Sequence, residues 1–474
     1  MLLKSSHLKP SKGFFRNNRA RLLEAFRSRV APAANSFILL RGAAEEYVYD
    51  DDQTFKFYQD NKFWWATGVD QPECFALINV ADGKTTIYSP KHPETNKYWM
   101  RIMELNEYLE NFEVDESKYI TDLEENLGAS NPHTVFILNG INKYSGVGPL
   151  APDFDWLKKC RVNSTALYSI FNEVMLHKSK DEIDLMREAG RIGAGAHIYA
   201  MQNIKPGVNE SHIQTLFRFY CGMHGPTVGV GYEEIVASGK NATVLHYNHN
   251  NKRTVDGQLL LLDAGCKING YNSDITSTFP VNGKFTAKQK QIYEIVLKAH
   301  EEVKKFAKAG VHWQDVHILA EKVIIEELLA IGILKDGTVQ ELWEKRLCYY
   351  FFPHGIGHYI GTYVHDLEGD PAKENVKKNI PNQRIRLCRT LEEGMILTDE
   401  PGIYFIDRLL ATAKALPDVA KHIDFDKVAE YEKEVQGVRI EDMIAVYSDR
   451  VEGLAPVPRT VEQIEKCMAG KEWK

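Results

Sequence analysis

The alternation of apolar and polar residues along the chain predicts both helices and strands. Apolar residues recur with the helical period after Thr286, a plausible N-cap, and again from Trp313, which predicts two neighbouring helices. The runs FALINV and TTIYSP predict two strands that are joined by a two-residue hairpin turn at Asp82-Gly83. Six aromatic residues between positions 55 and 65 are interpreted as core packing.

With 474 residues the chain is too long for one ordinary core, so we expect two domains. A charged stretch, HKSKDEIDLM, begins a long predicted helix, and we place the boundary before it, between domains 1–175 and 176–474. Near the start, RNNRARLLEAFRSRV predicts a surface helix with Leu22, Leu23 and Phe26 facing inward. The excess of basic residues there leaves a transit signal as the alternative.

Composition and charge exclude several classes of protein. The net charge of −7 argues against nucleic acid as a general partner, and no apolar run is long enough to cross a membrane. We find no signal-peptide pattern. The seven cysteines are scattered and form no CxxC pair, which is typical of reduced thiols. We therefore expect a cytoplasmic protein.

Two acids flank a predicted hairpin turn in the segment LLLLDAGCKINGYNSDITSTFP. Asn269-Gly270 is the preferred dipeptide of a type I′ turn, which would pair Ile268 with Tyr271. Asp263 and Asp274 would then lie on one face as diagonal neighbours, with their Cβ atoms about 7 Å apart. Asp263 ends an apolar run that should be buried, so a shared pair of metal ions is favoured over two solvated acids.

Three histidines fall within twelve residues of the segment PHGIGHYIGTYVHD, at His354, His358 and His365. The interleaved glycines argue against a helix and for a strand or loop. Glu400 precedes a Pro-Gly turn in TDEPGIYF, where an acid is usually solvated, and Glu441 leads into an apolar strand in GVRIEDM. Four acids and one histidine together indicate a pair of divalent ions and metal-assisted hydrolysis, because only a cation could neutralise so many acids.

These segments closely resemble the pita-bread metallopeptidases, and among them the eukaryotic prolidase group of Xaa-Pro dipeptidases. The matching stretches are VLHYNHN, LDAGCKINGYNSDITSTFPVNGKFT, FPHGIGHYIGTYVHD, LTDEPGIYFID, GVRIEDM, PVPRTVEQIEKCMAG and FKFYQDNKFWWATGV. The resemblance implies an α+β fold: a C-terminal pita-bread catalytic domain and a smaller mixed α/β N-terminal domain like that of aminopeptidase P. One departure is Asp399, where relatives often carry valine.

The resemblance also implies a role for each residue of the site. Asp263 is expected to hold one ion, Asp274 and Glu441 to bridge both, and His358 and Glu400 to hold the other. The implied catalytic residues are Glu400, His365 and His246. The implied substrate-binding residues are His246, His354, His365, Arg386, Arg439 and Tyr232, of which the last two support the ligands. Arg386 matches the arginine that binds the substrate carboxylate, although Arg384 and Arg389 lie close by.

The implied reaction is hydrolysis of Xaa-Pro dipeptides, small peptides with proline in the second position, by a hydroxide that bridges two ions, most often Mn²⁺. Two alternatives stay open: an aminopeptidase P that acts on longer Xaa-Pro peptides, and a pita-bread binding module without catalysis. A homodimer is expected from the resemblance alone. Trp99 is a candidate for closing the partner's site, and an ordinary packing tryptophan is the alternative.

Overall fold

Two units make up the protein in the computed structural model, which describes residues 9–33, 35–127, 133–225, 227–377 and 385–473. One unit contains Pro10–Met175 together with Leu367–Ala372. The other contains Leu176–Asp366 and Lys373–Lys474, and it carries every residue predicted to bind metal or substrate. Helices and strands alternate in both units, as the mixed pattern of the sequence predicts.

The N-terminal unit is built on a six-stranded sheet in the order β4-β3-β2-β1-β5-β6. Strand β1 pairs antiparallel with β2 and parallel with β5, so the sheet is mixed. Its elements are α1 (Phe14–Val30), β1 (Ser36–Arg41), α2 (Asn61–Thr67), β2 (Phe75–Asn79), β3 (Thr85–Ser89), α3 (Leu105–Asn111), β4 (Glu116–Tyr119), α4 (Leu123–Leu127), β5 (Thr134–Ile137), β6 (Arg161–Asn163) and α5 (Leu167–Leu176).

The predicted first helix is confirmed, because α1 buries Leu22, Leu23 and Phe26. The hairpin of β2 and β3 is also confirmed, but its connection is longer than two residues. Gly83 donates its amide hydrogen to the carbonyl of Asn79, and Asp82 does not adopt the positive φ that a type I′ turn requires. The side-chain oxygen of Asn79 also accepts a hydrogen bond from the amide of Ala81. This local side-chain bond shapes the turn.

The interpretation of the aromatic cluster as core is right for only part of it. Phe63 and Trp65 are fully buried, whereas Phe55 and Tyr58 are about half exposed. The buried pair lies on α2, where one helix face must pack inward, and the exposed pair precedes that helix. Trp99 is 87% exposed, so its interpretation as an ordinary packing tryptophan is wrong within this chain.

The C-terminal unit combines small antiparallel sheets with long helices. Its elements are α6 (Lys180–Asn203), α7 (Glu210–His224), β7 (Thr227–Val230), β8 (Ile235–Ser238), β9 (Leu259–Asp263), β10 (Cys266–Ile268), β11 (Tyr271–Asn272), β12 (Thr276–Pro280), α8 (Ala287–Phe306), α9 (Trp313–Ala330), α10 (Val339–Glu344), β13 (Ile396–Asp399), β14 (Gly402–Tyr404), α11 (Asp407–Ala415), α12 (Pro417–Ala420), α13 (Phe425–Glu434), β15 (Gly437–Arg439), β16 (Asp442–Val446), β17 (Val451–Gly453) and α14 (Val461–Met468).

Helices α8 and α9 begin where the sequence predicts. Thr286 caps α8, with its side chain accepting from the amide of Gln289, whose side chain in turn accepts from the amide of Thr286. The apolar faces of both helices join one large buried cluster with strands β9 and β12. Strand pairs β9/β12 and β13/β16 therefore lie on a packed helical layer, and their ends have fixed positions.

No helix in the described part of the chain is both long and apolar enough to cross a membrane. All seven cysteines fall within the described residues, and none forms a disulfide.

We predict that Gly265→Ala destabilises the unit, because a Cβ at this position would lie 1.7 Å from the carbonyl oxygen of Ser273. Forcing apart two paired backbones should lower the free energy of unfolding by at least about 1–3 kcal/mol, as overpacking does. Gly222→Ala is the matched control, since its added Cβ meets nothing within 4 Å. Urea unfolding of both variants is the measurement, and equal stabilities would contradict the close approach.

Candidate metal centre

The hairpin that carries Asp263 and Asp274 forms as predicted. Ile268 pairs with Tyr271, and both turn residues have positive φ, 46° at Asn269 and 78° at Gly270. The same register continues into the next strand pair, where Asp263 lies opposite Thr276. Two residues of separation keep side chains on one face of a strand, so the two aspartates are neighbours on the buried side.

A single phenol links these two aspartates. The Tyr232 hydroxyl lies 2.7 Å from Oδ1 of Asp263 and 2.5 Å from Oδ1 of Asp274. Arg439 holds the other oxygen of Asp263, with its Nη2 donating over 2.6 Å. Tyr232 and Arg439 therefore orient the carboxylates, which is the supporting role that the sequence analysis predicts for them.

His358 lies in an irregular segment, as its flanking glycines predict. The segment is fixed by backbone bonds to β13, including the amide of Thr398 donating to the carbonyl of His358. The Nδ1 of His358 lies 2.9 Å from the carbonyl of Tyr359 and can donate to it, so Nε2 is the nitrogen that faces the acids. Nε2 is 3.5 Å from Oδ2 of Asp274 and 3.7 Å from Oε1 of Glu400.

Glu441, which immediately precedes β16, lies beside the same group of side chains. Its backbone forms an isolated β-bridge with Thr276, and the Thr276 hydroxyl donates to Oε2 of Glu441 over 2.6 Å. Within the described residues, ligand atoms of Asp274, His358 and Glu441 all lie within 4.8 Å of one another. The structure thus brings all five predicted ligands together, although which ion each one holds stays a prediction.

The electrostatics of the cluster fit a divalent metal. Burial raises the pKa of Asp274 and, far more strongly, the pKa of Glu441, and the neighbouring carboxylates raise both further. Burial raises the pKa of Glu400 to about 7, against the opposing effect of His358. Carboxylates crowded in this way would take up protons unless a cation replaced them. Oxygen ligands with one imidazole suit a hard or borderline divalent ion.

The predicted substrate residues lie around this cluster. The ring of His365 meets that of His358 edge to face, with centroids 4.5 Å apart. Burial lowers the pKa of His365 to about 3, and His358, Arg386 and His246 lower it further. The charges of Arg386 and His246 are therefore close enough to act on His365, which is neutral at physiological pH. Arg389 is buried and pairs with Glu392, while Arg384 lies outside the described residues.

Tyr404 is a site residue that the sequence analysis missed. Its hydroxyl accepts from Nη1 of Arg439 over 2.9 Å and lies 2.9 Å from Nε2 of His354, to which it can donate. A chain of hydrogen bonds thus connects Asp263 through Arg439 to His354. Burial lowers the pKa of His354 to about 3, so the ring is neutral. A tyrosine in an apolar strand is ordinarily a core residue, and no local signal distinguishes this one.

Two further buried pairs of ionisable side chains are also invisible in the sequence. Asp399, noted above as a departure, faces His300 of α8 at 2.9 Å, and both side chains are fully buried. Lys178 pairs with Asp366 at 2.6 Å, and both side chains are 1% exposed. These partners are more than ninety residues apart in the chain, so only the fold brings them together.

Comparison with known sequences identifies the family. The profile of metallopeptidase family M24 matches residues 184–448, which is more than half of the chain. The chain belongs to metallopeptidase family M24. The M24 match contains all five predicted ligands. A second profile, that of the aminopeptidase P N-terminal domain, matches residues 15–136.

Curated relatives extend this likeness to the whole chain. The M24 chain is similar to human Xaa-Pro dipeptidase, with 38% identity over 98% of this chain and 94% of the human protein. It is 39% identical to mouse Xaa-Pro dipeptidase over the same shares of the two chains. It is also 33% identical to a probable Xaa-Pro aminopeptidase of Sordaria macrospora, over 94% of each chain.

Solved structures of Escherichia coli aminopeptidase P share the fold. One alanine variant matches with a TM-score of 0.79 and 28% identity, over 98% of this chain and all of the other. A second structure, with the inhibitor Pro-Leu, gives the same TM-score over 98% and 99% of the two chains. The M24 chain therefore has the two-domain α+β architecture predicted for it, and it is an enzyme that uses divalent metal.

We predict that the purified protein loaded with excess divalent metal approaches two equivalents, and that Asp274→Ala loses most of both. Asp274 is the carboxylate that contacts both Tyr232 and His358, so its removal opens the centre of the cluster. Elemental analysis after desalting measures the content. Asp449→Ala, at an exposed acid remote from the site, should retain full metal. An Asp274→Ala protein with undiminished metal would refute the assignment.

Proposed function

We propose that this M24 protein hydrolyses Xaa-Pro dipeptides, releasing free proline. The observation that carries the proposal is the five-residue cluster of acids and imidazole, with the His365 ring against that of His358 and Arg386 near enough to affect the pKa of His365. It is supported by the relatives named Xaa-Pro dipeptidase, which match the chain over almost its whole length. A prolyl bond lacks the amide hydrogen that ordinary peptidases bind, so a dedicated site is required.

Two bound divalent ions would acidify a water molecule and polarise the scissile carbonyl. In the proposed mechanism Glu400 accepts the proton of that water and delivers it to the proline nitrogen. Burial, which raises the pKa of Glu400 to about 7 against the opposing effect of His358, supports this assignment. The neutral His365 donates a hydrogen bond to the carbonyl oxygen as negative charge develops there.

The remaining histidines are proposed to bind substrate. His354 is held by Tyr404 and by the carbonyl of Gly355, so its ring orientation is set before substrate arrives. His246 is exposed, and it acts electrostatically on both His354 and His365. An exposed side chain near both of these histidines is well placed to meet a small peptide.

Arg386 is proposed to bind the free carboxylate of the substrate proline. A guanidinium can bind a carboxylate through two parallel hydrogen bonds, which an ammonium group cannot reproduce. This proposal separates a dipeptidase from the main alternative, an aminopeptidase P that accepts longer Xaa-Pro peptides. The alternative has support in the relatives named probable Xaa-Pro aminopeptidase and in the fold of the E. coli aminopeptidase P.

We also propose Mn²⁺ as the metal and a homodimer as the active form. The ligand set of four carboxylates and one imidazole supports manganese, which favours oxygen ligands. The dimer is supported by the consecutive exposed side chains of Tyr98, Trp99 and Met100, because apolar surface of this kind is usually covered by a partner. Trp99 is then the candidate that helps to close the site of the second copy.

We also propose a cellular location for the protein and a role for each of its two domains. The seven cysteines, all within the described residues, form no disulfide, which supports a reducing compartment such as the cytoplasm. We propose 1–175 as the aminopeptidase P-like N-terminal domain and 176–474 as the catalytic domain. The two profile matches and the two units support this division.

Glu400→Gln should lower kcat about 10²–10⁴-fold, the usual contribution of a general acid–base group, even when metal is restored. The substitution keeps the shape of the side chain and removes its ability to carry a proton. Gly-Pro hydrolysis and metal content are measured on the same samples. Glu393→Gln, at the exposed acid in the same segment, should be unaffected. Near-normal kcat in metal-loaded Glu400→Gln would move the proton-transfer role to another residue, with His365 tested next.

Gly-Pro should be cleaved much faster than Gly-Pro-Ala, because the tripeptide leaves the Arg386 guanidinium without its carboxylate. Losing one partner of a buried charged pair costs about 2–5 kcal/mol, or roughly 30- to several-thousand-fold in rate constant. Arg386→Ala should remove most of the preference by slowing the dipeptide, and Arg386→Lys should restore only part of it. If the tripeptide is cleaved equally well, the aminopeptidase P alternative is correct.

A further inference from the structure

Glu210 is a buried carboxylate that the proposed chemistry does not use. It is the first residue of α7, it is fully buried, and it accepts five hydrogen bonds. Its Oε1 accepts from the amide and hydroxyl of Ser238 and from the side chain of Asn241, over 2.6–2.9 Å. Its Oε2 accepts from the hydroxyl of Tyr247 over 2.8 Å and from the amide of Lys252 over 3.0 Å. A carboxylate offers about four lone-pair sites, so this one is saturated.

All five hydrogen bonds come from one stretch of chain, from Ser238, the last residue of β8, to Lys252. Residues 239–252 contain no β-strand and begin with a short 3-10 helix, Gly239–Thr243. The backbone of Glu210 also closes the far end of this stretch, since the Glu210 amide donates to the Lys252 carbonyl. Glu210 therefore holds both ends of this connection and its middle.

His246 lies in the middle of this stretch and makes no hydrogen bond of its own among the described contacts. The next residue, Tyr247, is 7% exposed and turns inward to Glu210, while His246 is exposed. The Tyr247–Glu210 bond fixes the chain next to His246, and this limits the directions in which the imidazole can point. A loop held this way loses little freedom when substrate binds.

We propose that Glu210 is a positioning residue that acts through Tyr247 on His246, holding the imidazole in the substrate site. The inference deepens the proposed function and rests on it, because the role of His246 in binding substrate is itself proposed. The negative carboxylate at the first turn of α7 is also favoured by the helix dipole, which explains why an acid can be buried there without a cation.

The first experiment tests, without measuring activity, whether Glu210 holds residues 239–252 in place. In Glu210→Gln the amides of residues 239–252 should exchange with deuterium faster, because the amide group cannot accept all five hydrogen bonds. Glu234→Gln is the matched control: Glu234 is equally buried, but its side chain accepts from Arg218 and Gln214 on α7. Exchange in residues 239–252 that is no faster in Glu210→Gln than in Glu234→Gln would overturn the proposal.

The second experiment asks whether Glu210 acts through Tyr247 on His246. Tyr247→Phe removes one hydrogen bond and should lower kcat/KM for Gly-Pro about fivefold. When His246→Ala is already present, Tyr247→Phe should lower kcat/KM further by no more than about twofold. Tyr431→Phe is the control, since that tyrosine is 6% exposed and also donates one hydrogen bond, to Gln291, away from the site. It should leave kcat/KM unchanged.

The outcomes separate failure of this inference from failure of the proposed function. The inference is wrong if Tyr247→Phe is as active as the wild type. It is also wrong if Tyr247→Phe lowers kcat/KM equally in the wild type and in His246→Ala, because Glu210 and Tyr247 then do not act on His246. If His246→Ala is fully active while Tyr247→Phe is impaired, the inference is again wrong. If the wild type cleaves no Xaa-Pro dipeptide, the proposed function fails, and the exchange experiment still decides whether Glu210 holds the segment.

Discussion

Mutual repulsion among four buried carboxylates is the constraint on which the rest of the C-terminal unit depends. Asp263, Asp274, Glu400 and Glu441 converge beside His358, where burial raises the pKa of three of the acids. Such a cluster is stable in its charged form only with cations among the oxygens. The protein therefore needs donors and rigid strands that hold the acids in place whether or not metal is bound.

Each of three carboxylates is supported by a donor from another element. Tyr232 holds both Asp263 and Asp274, Arg439 also holds Asp263, and the Thr276 hydroxyl holds Glu441. Arg459 supports the site indirectly. Its guanidinium donates to the carbonyls of Thr276 and Glu441, the two residues that form an isolated β-bridge. Cross-linking of this kind orients metal ligands and accounts for the burial of two arginines in one site.

Two more acids lie on the strands that lead to the ligands. Asp399 and Asp442 are directly opposite each other on β13 and β16, one residue from Glu400 and Glu441. Like charges in that arrangement repel. Burial raises the pKa of Asp399 well above its usual value and lowers the pKa of the adjacent His300 to about 3, so these two groups face each other uncharged. Lys304 of α8 pairs with Asp442. The four acidic ligands thus lie on strands or within two residues of one, whereas His246, His354 and His365, like His358, lie on irregular segments. Loops of that kind tolerate change, which fits a family whose relatives differ in substrate.

The sequence alone predicted several elements and proposed the five ligands. The Asn269-Gly270 turn sets a register in which Asp263 and Asp274 must share a face, and the helical period locates α1, α8 and α9. These are local effects, governed by backbone sterics and by the spacing of apolar residues. The tertiary structure was needed to show that Tyr404 connects Arg439 to His354, and that Glu210 accepts hydrogen bonds from residues between Ser238 and Lys252. Those contacts join residues far apart in the chain, and their polar side chains resemble solvated or core residues until the fold brings their partners to them.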